Sequence, residues 1–375
     1  MSIITRTSYP LLTSVLIGLV ACGSGPAKKH APDASLVALA PLSSPRATHA
    51  IIRTDRNILL VGGCVRDGCE AGPASATVDI LSLEDDRRAV GNLLTSRVQP
   101  GAIFLSGELA LVAGGWVSGH VDSTTELFDA GTGRSSRGPT MQAARSAAAL
   151  VRLSDGRALI IGGWNGKIPL ASAEIYDPTT KQLTSVGAMG QARSGATATL
   201  LPDGRVLVAG GGTGDGENRV ALASAEIFDP TTSEFTPTGS LSLRRYKHGA
   251  VALPDGSVLI IGGSDERDYA GKTATVERYD PQTGKFLAAG RLAESRFKLA
   301  DASVLLASGK VLVAGSSSRP ELFDPATGTS KLLPVDLDGE WNYLTAIRAR
   351  TGVLLAGGYR EGLILVSDRV WRLTL

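Results

Sequence analysis

The chain has 375 residues, a formal net charge of +2 and no lysine- or arginine-rich block, so the basic footprint of a nucleic-acid binder is missing and no such partner is expected. Glycine supplies 45 of the residues and aromatics only 5%, where ordinary chains carry about 7% glycine. Glycines set among Ala, Val, Leu and Ile, without a long period of 3.6, predict an all-β chain of short strands and tight turns.

The N-terminus reads as an address. Arg6 is the only charge before Pro10, and Leu11 to Ala21 is apolar or small. That run is too short for a membrane-spanning helix and suits the core of a signal peptide. Leu19-Val20-Ala21-Cys22 resembles the lipobox of bacterial lipoproteins, which implies acylation of Cys22 and a mature chain starting there. An ordinary signal peptide with a chance cysteine is the other reading. Gly23 and Ser24 stand where an inner-membrane member of that class carries Asp, so the resemblance implies the outer membrane. Residues 23–35 have no apolar periodicity and read as a solvated tether that includes His30. The expected organisation is a signal peptide at 1–21, a lipidated tether at 22–35 and a folded domain at 36–375.

That domain is one unit written repeatedly. An apolar strand ending in glycine pairs recurs at Gly62, Gly114, Gly162, Gly210 and Gly262, degrades at Gly315-Ser316 and returns at Gly357. A period near 50 residues marks a repeat architecture. Arg46, Arg97, Arg145, Arg193, Arg245 and Arg296 each precede a strand of small residues, suited to the crowded inner edge of a radial array. Asp155-Gly156, Asp203-Gly204 and Asp255-Gly256 predict type I′ hairpins. The second strand, as in Val206-Leu207-Val208, is continuously apolar and so expected to be buried on both faces. The third carries Glu, an aliphatic or Arg, an aromatic and Asp, as in Glu226-Ile227-Phe228-Asp229. It deviates to Val78-Asp79-Ile80-Leu81 in the first unit. A short fourth strand is weakly patterned.

Glycine pairs about a dozen residues before Glu-x-aromatic-Asp-Pro, preceded by the recurrent Arg, resemble the kelch superfamily. The resemblance covers roughly residues 36–375 and implies a seven-bladed β-propeller of four-stranded antiparallel blades. The family's outer-strand tryptophan is mostly absent, with Phe235 and Phe286 its nearest stand-ins, and the last unit lacks the Glu signature. Residues 36–42 precede Arg46 as outer strands precede the other arginines, which predicts that the N-terminus supplies the last unit's outer strand. The alternative is that Leu363–Leu375 provides both remaining strands.

Recurrent Arg and Glu are expected to be buried, satisfied locks between blades, since a catalytic set occurs once; no catalytic residue is assigned. His49 and His248 hold equivalent positions in distant units, His120 stands alone in a loop, and no metal-ligand spacing appears, so no metal and no cofactor are expected. The Gly212–Asn218 run is no complete calcium loop. Cys64 and Cys69 in an exported chain predict a disulfide. The loops after the glycines share one face, and Trp116, Trp164 and Tyr269 are its candidate ligand contacts. The expectation is a surface binding module for a protein or glycan, anchored by lipid. A carbohydrate oxidase or sugar isomerase, and a structural part of an envelope complex, are the alternatives.

Overall fold

The computed structural model describes residues 34–66, 69, 73–84, 87–215, 218–360 and 365–375. The expected leader, Cys22 and all of the tether before Ala34 lie outside the described residues. The described part is almost entirely β-structure, with five four-stranded sheets and one eight-stranded sheet, besides three two-stranded ribbons. The eight-stranded sheet consists of two four-stranded meanders. They are joined where Arg134–Arg137 pairs in parallel with Arg88–Arg97 through the single register Arg134↔Asn92.

The fourth unit shows how a repeat folds. Its strands, Thr197–Leu200, Val206–Ala209, Ala225–Asp229 and Glu234–Pro237, pair antiparallel in sequence order. Every residue of Val206–Ala209 is buried, because its two faces pack against the sheets on either side. Each large aliphatic so placed contributes about 1.5–3 kcal/mol. The equivalent strands Ala158–Ile161 and Val258–Ile261 are buried throughout as well. Phe235 lies 4.8 Å from Phe228 and Phe286 4.8 Å from Tyr279, so these outer-strand phenylalanines pack on the aromatic side chain of the third strand.

The Asp-Gly turns differ from expectation. Gly156, Gly204 and Gly256 have positive φ, whereas the aspartates before them do not. In the third unit the Gly156 amide donates to Leu153 and the Leu153 amide to Arg157, a type I turn closed by a left-handed glycine rather than type I′. The Asp155 carboxylate accepts the Arg157 amide at 3.0 Å, and this local bond holds Asp155 at ordinary φ.

The innermost strands touch in the cyclic order Ala50–Arg53, Gly101–Ser106, Ala149–Arg152, Thr197–Leu200, Gly249–Ala252, Ser303–Leu305, Thr345–Arg348 and back to the first. One backbone hydrogen bond repeats at each junction: the second glycine amide of one unit donates to the arginine carbonyl of the next, except that Ser316 and Trp341 take these places between the sixth and last units. Gly63 bonds Arg97 at 2.8 Å, Gly211 bonds Arg245 at 3.0 Å, and Gly358 bonds Arg46 at 3.0 Å, joining last to first. The fold is propeller-like. Ser35–Ala38 pairs with Val370–Thr374 through Ser35↔Thr374 to Ala38↔Trp371, so the N-terminal strand completes the last sheet. Leu365–Val366 instead forms a small ribbon with Tyr359–Arg360.

Candidate functional site

The recurrent arginines are fully buried and bonded within their own unit. Arg193 donates to the Gly210 carbonyl at 2.7 Å, the Ser224 carbonyl at 3.0 Å and Glu226 at 2.7 Å. Glu226 also accepts the amides of Gly190 and Gln191, which arrive from the preceding unit. The pair therefore pins the incoming connection to the new sheet. Burial lowers the Arg193 pKa, while its bond to Glu226 opposes that shift. In the first unit Asp79 takes the glutamate's place, 2.7 Å from Arg46 and holding Ser43.

Two residues beyond each arginine the chain turns left-handed. Thr48, Gln99, Ala147, Gly195, Lys247, Lys298 and, in the last unit, Tyr343 all have φ between 49° and 61°. For non-glycine residues this conformation is uncommon, and its recurrence makes it a property of the repeat. It also delays the inner strand, which in the third unit begins at Ala149 rather than Ser146. These seven residues stand around a central cavity of about 270 Å³. The next residue after the arginine bridges to the residue after the glycine pair, as in Ser146↔Trp164 and Tyr246↔Ser264. The cavity rim and the variable loops consequently share a face.

That rim is one-sided. Ala147 and Gly195 offer no functional group, whereas Lys247, Lys298 and Tyr343 crowd the opposite arc. The Lys247 ammonium meets Asp268 at 2.9 Å and lies 4.7 Å from the Tyr246 ring centroid. Burial pulls its pKa down, against the attraction of Asp268. Lys298 is buried, donates to the Tyr359 hydroxyl at 2.5 Å, and lies over the rings of Phe297 and Tyr359 at 4.5 and 5.0 Å. Contacts of this kind contribute about 0.5–2 kcal/mol each. Residue-by-residue sequence reasoning passed over this rim. Its signal was the identity of the residue two after each arginine.

The three sequence-nominated contacts are on the loop face but separate. Trp116 is half-buried and packs on the cluster of Ala47, Cys64 and Val98, toward the first unit. Trp164 faces the other way, with the Arg219 guanidinium 5.7 Å from its ring. No ring contact joins the two tryptophans among the described residues. Tyr269 is 46% exposed, edge-on to Phe297 at 5.9 Å, with Lys272 4.0 Å above its ring. Cys64 and Cys69 form a disulfide, fixing the base of the first unit's loop.

The histidines serve the ring. His49 Nε2 bonds Thr345 and His248 Nε2 bonds Thr197, each at 2.9 Å and each across a junction to the preceding unit. Burial, with the neighbouring arginine adding to it, holds both at a pKa of about 3, so both are neutral. His120 lies exposed in a two-stranded ribbon.

The kelch motif matches residues 146–190 and 245–289, so the third and fifth repeats carry that motif. No curated protein matches it. Among solved structures it is similar to a fungal alcohol oxidase of the AA5 family in complex with copper. The TM-score is 0.70 at 18% identity, over 91% of this chain and 75% of that one. That likeness concerns the fold. The residues present do not fit copper: both buried histidines spend Nε2 on threonines in different units, and Cys64 and Cys69 are joined to each other. Among the described residues no group of three His, Cys, Asp or Glu could hold a metal ion.

Proposed function

We propose that this protein is a lipid-anchored binding module of the bacterial envelope. In this reading residues 1–21 direct export, acylated Cys22 anchors the chain in the outer membrane, and a short tether carries a closed seven-bladed propeller. Stable anchoring of this kind requires more than one acyl chain. The loop face meets a protein partner through the third, fourth and fifth units.

One observation carries the reading. Exposed large apolar side chains gather on the loops of that sector: Ile168 at 51%, Val220 at 41%, Leu243 at 45% and Tyr269 at 46%. Charged groups surround them, with Arg244 bonded to Glu266 at 2.6 Å and Arg267 to Asp265 at 2.6 Å. Apolar anchors with a polar surround are the composition of a protein-binding patch, and aliphatic side chains favour a protein over a glycan.

The test is photo-crosslinking in intact cells from positions 168 and 220, with position 205 on the Asp-Gly turn face as control. A discrete protein adduct from the two loop positions and none from position 205 supports the proposal. Adducts confined to outer-strand positions 90 and 287 would move the interface to a flank. Glycan binding abolished by Trp164→Ala would replace the protein partner by a glycan.

A further inference from the structure

The sixth repeat is longer than its siblings inside the ring. Seventeen residues separate the arginine from its glycine partner in the second to fifth repeats, but Arg296 and Gly315 are 19 apart. The additional chain forms a turn closed by the Ala302 amide on the Leu299 carbonyl at 3.0 Å. It carries Ala300 and Asp301 onto the cavity wall. The Ala346 amide bonds the Asp301 carbonyl at 2.6 Å, which sets Asp301 level with a residue three positions beyond Tyr343. At the rise of an extended chain that depth is up to about 10 Å below the rim.

The same lining includes the small, neutral side chains of Ala102, Ala149, Thr197, Thr199 and Ala250. Asp301 is exposed, and among the described residues no side chain or amide is bonded to its carboxylate. The other ionisable groups lining the cavity are engaged elsewhere. His49 and His248 are neutral and bonded to threonines, Lys247 is paired with Asp268, and Lys298 donates to Tyr359. Asp301 is thus an anion on an inserted turn, and among the described residues the two lysines of the same lining bond other groups rather than its carboxylate.

We propose that the central cavity binds a small organic cation, a primary amine or guanidine, with Asp301 as its charged contact. A hard divalent ion requires six or more oxygen ligands, and no cluster of acidic or histidine side chains exists there among the described residues, so an organic cation is the matching class. The surrounding wall withdraws the carboxylate from water, which raises the Asp301 pKa to about 6. This inference concerns the cavity interior, and failure of the loop-face reading leaves it standing.

The experiment is calorimetry and thermal melting of the full-length protein in detergent with n-butylammonium, against butan-1-ol as the uncharged isostere and calcium as the inorganic cation. Butylammonium is expected to bind and raise Tm where butanol and calcium do not. Asp301→Asn should weaken binding at least tenfold. Because the carboxylate must be ionised, affinity should fall about tenfold from pH 7.5 to pH 5, with proton release on binding near pH 6. Removing an unpartnered charge, Asp301→Asn should itself melt no lower than the parent at pH 7.5. Equal response to butanol, preference for calcium, unchanged binding in Asp301→Asn or a lower melting temperature of that variant would each overturn the proposal.

Discussion

Among the described residues, the units before the last are each held together by a buried arginine, and the last by two tryptophans. Trp341 occupies the arginine position: its carbonyl accepts the Ser316 amide at 2.7 Å, as Arg245 accepts Gly211. Trp371 occupies the glutamate position, since it pairs with Leu355 as Glu226 pairs with Val208. The two rings lie 6.3 Å apart, the Trp341 indole donates to Leu337 at 3.0 Å, and Arg360 lies 4.8 Å from the Trp341 ring centroid. A buried ion pair and a packed apolar pair of similar size have comparable net worth, because desolvation offsets most of the charge attraction. The repeat thus fixes the backbone junction and leaves open how the cavity behind it is filled.

If this is right, the junction itself should be equally indispensable at both kinds of unit. A Cβ on Gly210 would meet the Arg245 carbonyl at 2.6 Å, and one on Gly357 the Arg46 carbonyl at 2.7 Å, both at positive φ. Gly210→Ala and Gly357→Ala should each destabilise by on the order of 4 kcal/mol or prevent folding. Denaturant unfolding that separated the two by more than half that amount would break the equivalence. The fillings should then behave differently. Glu226→Leu leaves Arg193 buried and unpaired, at a cost of about 3–5 kcal/mol, and adding Arg193→Met should recover most of it. Trp371→Ala should lose about 3–5 kcal/mol as a cavity, with no rescue available from Trp341→Ala. A double variant of the ion pair no better than its worse parent would refute the contrast.

The last unit also relies on a strand from the opposite end of the chain. Removing residues 34–39 deletes the Ser35–Ala38 ladder and the buried Ala34, and should cost about 2–4 kcal/mol. An unchanged melting temperature would show that Val370–Thr374 tolerates a free edge.

A further effect is pH-dependent. His49 and His248 have folded pKa values near 3, below the ordinary value of about 6.5. The unfolded chain therefore takes up their protons first, and their contribution is intact above pH 6.5 and lost as pH falls toward 3. Each should add a slope of about 1.4 kcal/mol per pH unit across that window. His49→Asn with His248→Asn should flatten the acid limb of the stability profile. Equal slopes in parent and variant would mean that the histidines are not held neutral.

Much of this was legible in the chain. The glycine pairs, the apolar second strands and the Glu-x-aromatic-Asp signature locate each sheet because one physical problem, burying a strand on both faces, has the same solution every time. The Cys64–Cys69 bond was expected from two cysteines flanking one short loop in a chain read as exported. Trp116 and Trp164 were nominated by sequence position alone, and their divergence depended on which neighbour each ring leaned upon. Asp301 was invisible as chemistry, though the two extra residues after Arg296 were countable.

The sequence by itself determined the repeat, the strand order within each unit and the burial of the arginines, since each depends on local pattern and on charges that must be paired. Tertiary structure alone decided the rest. It turned seven left-handed residues into one asymmetric rim, exchanged an ion pair for Trp341 and Trp371, and set Asp301 in a cavity that no single repeat contains. These are distances between units, and a periodic sequence does not encode them in any one period.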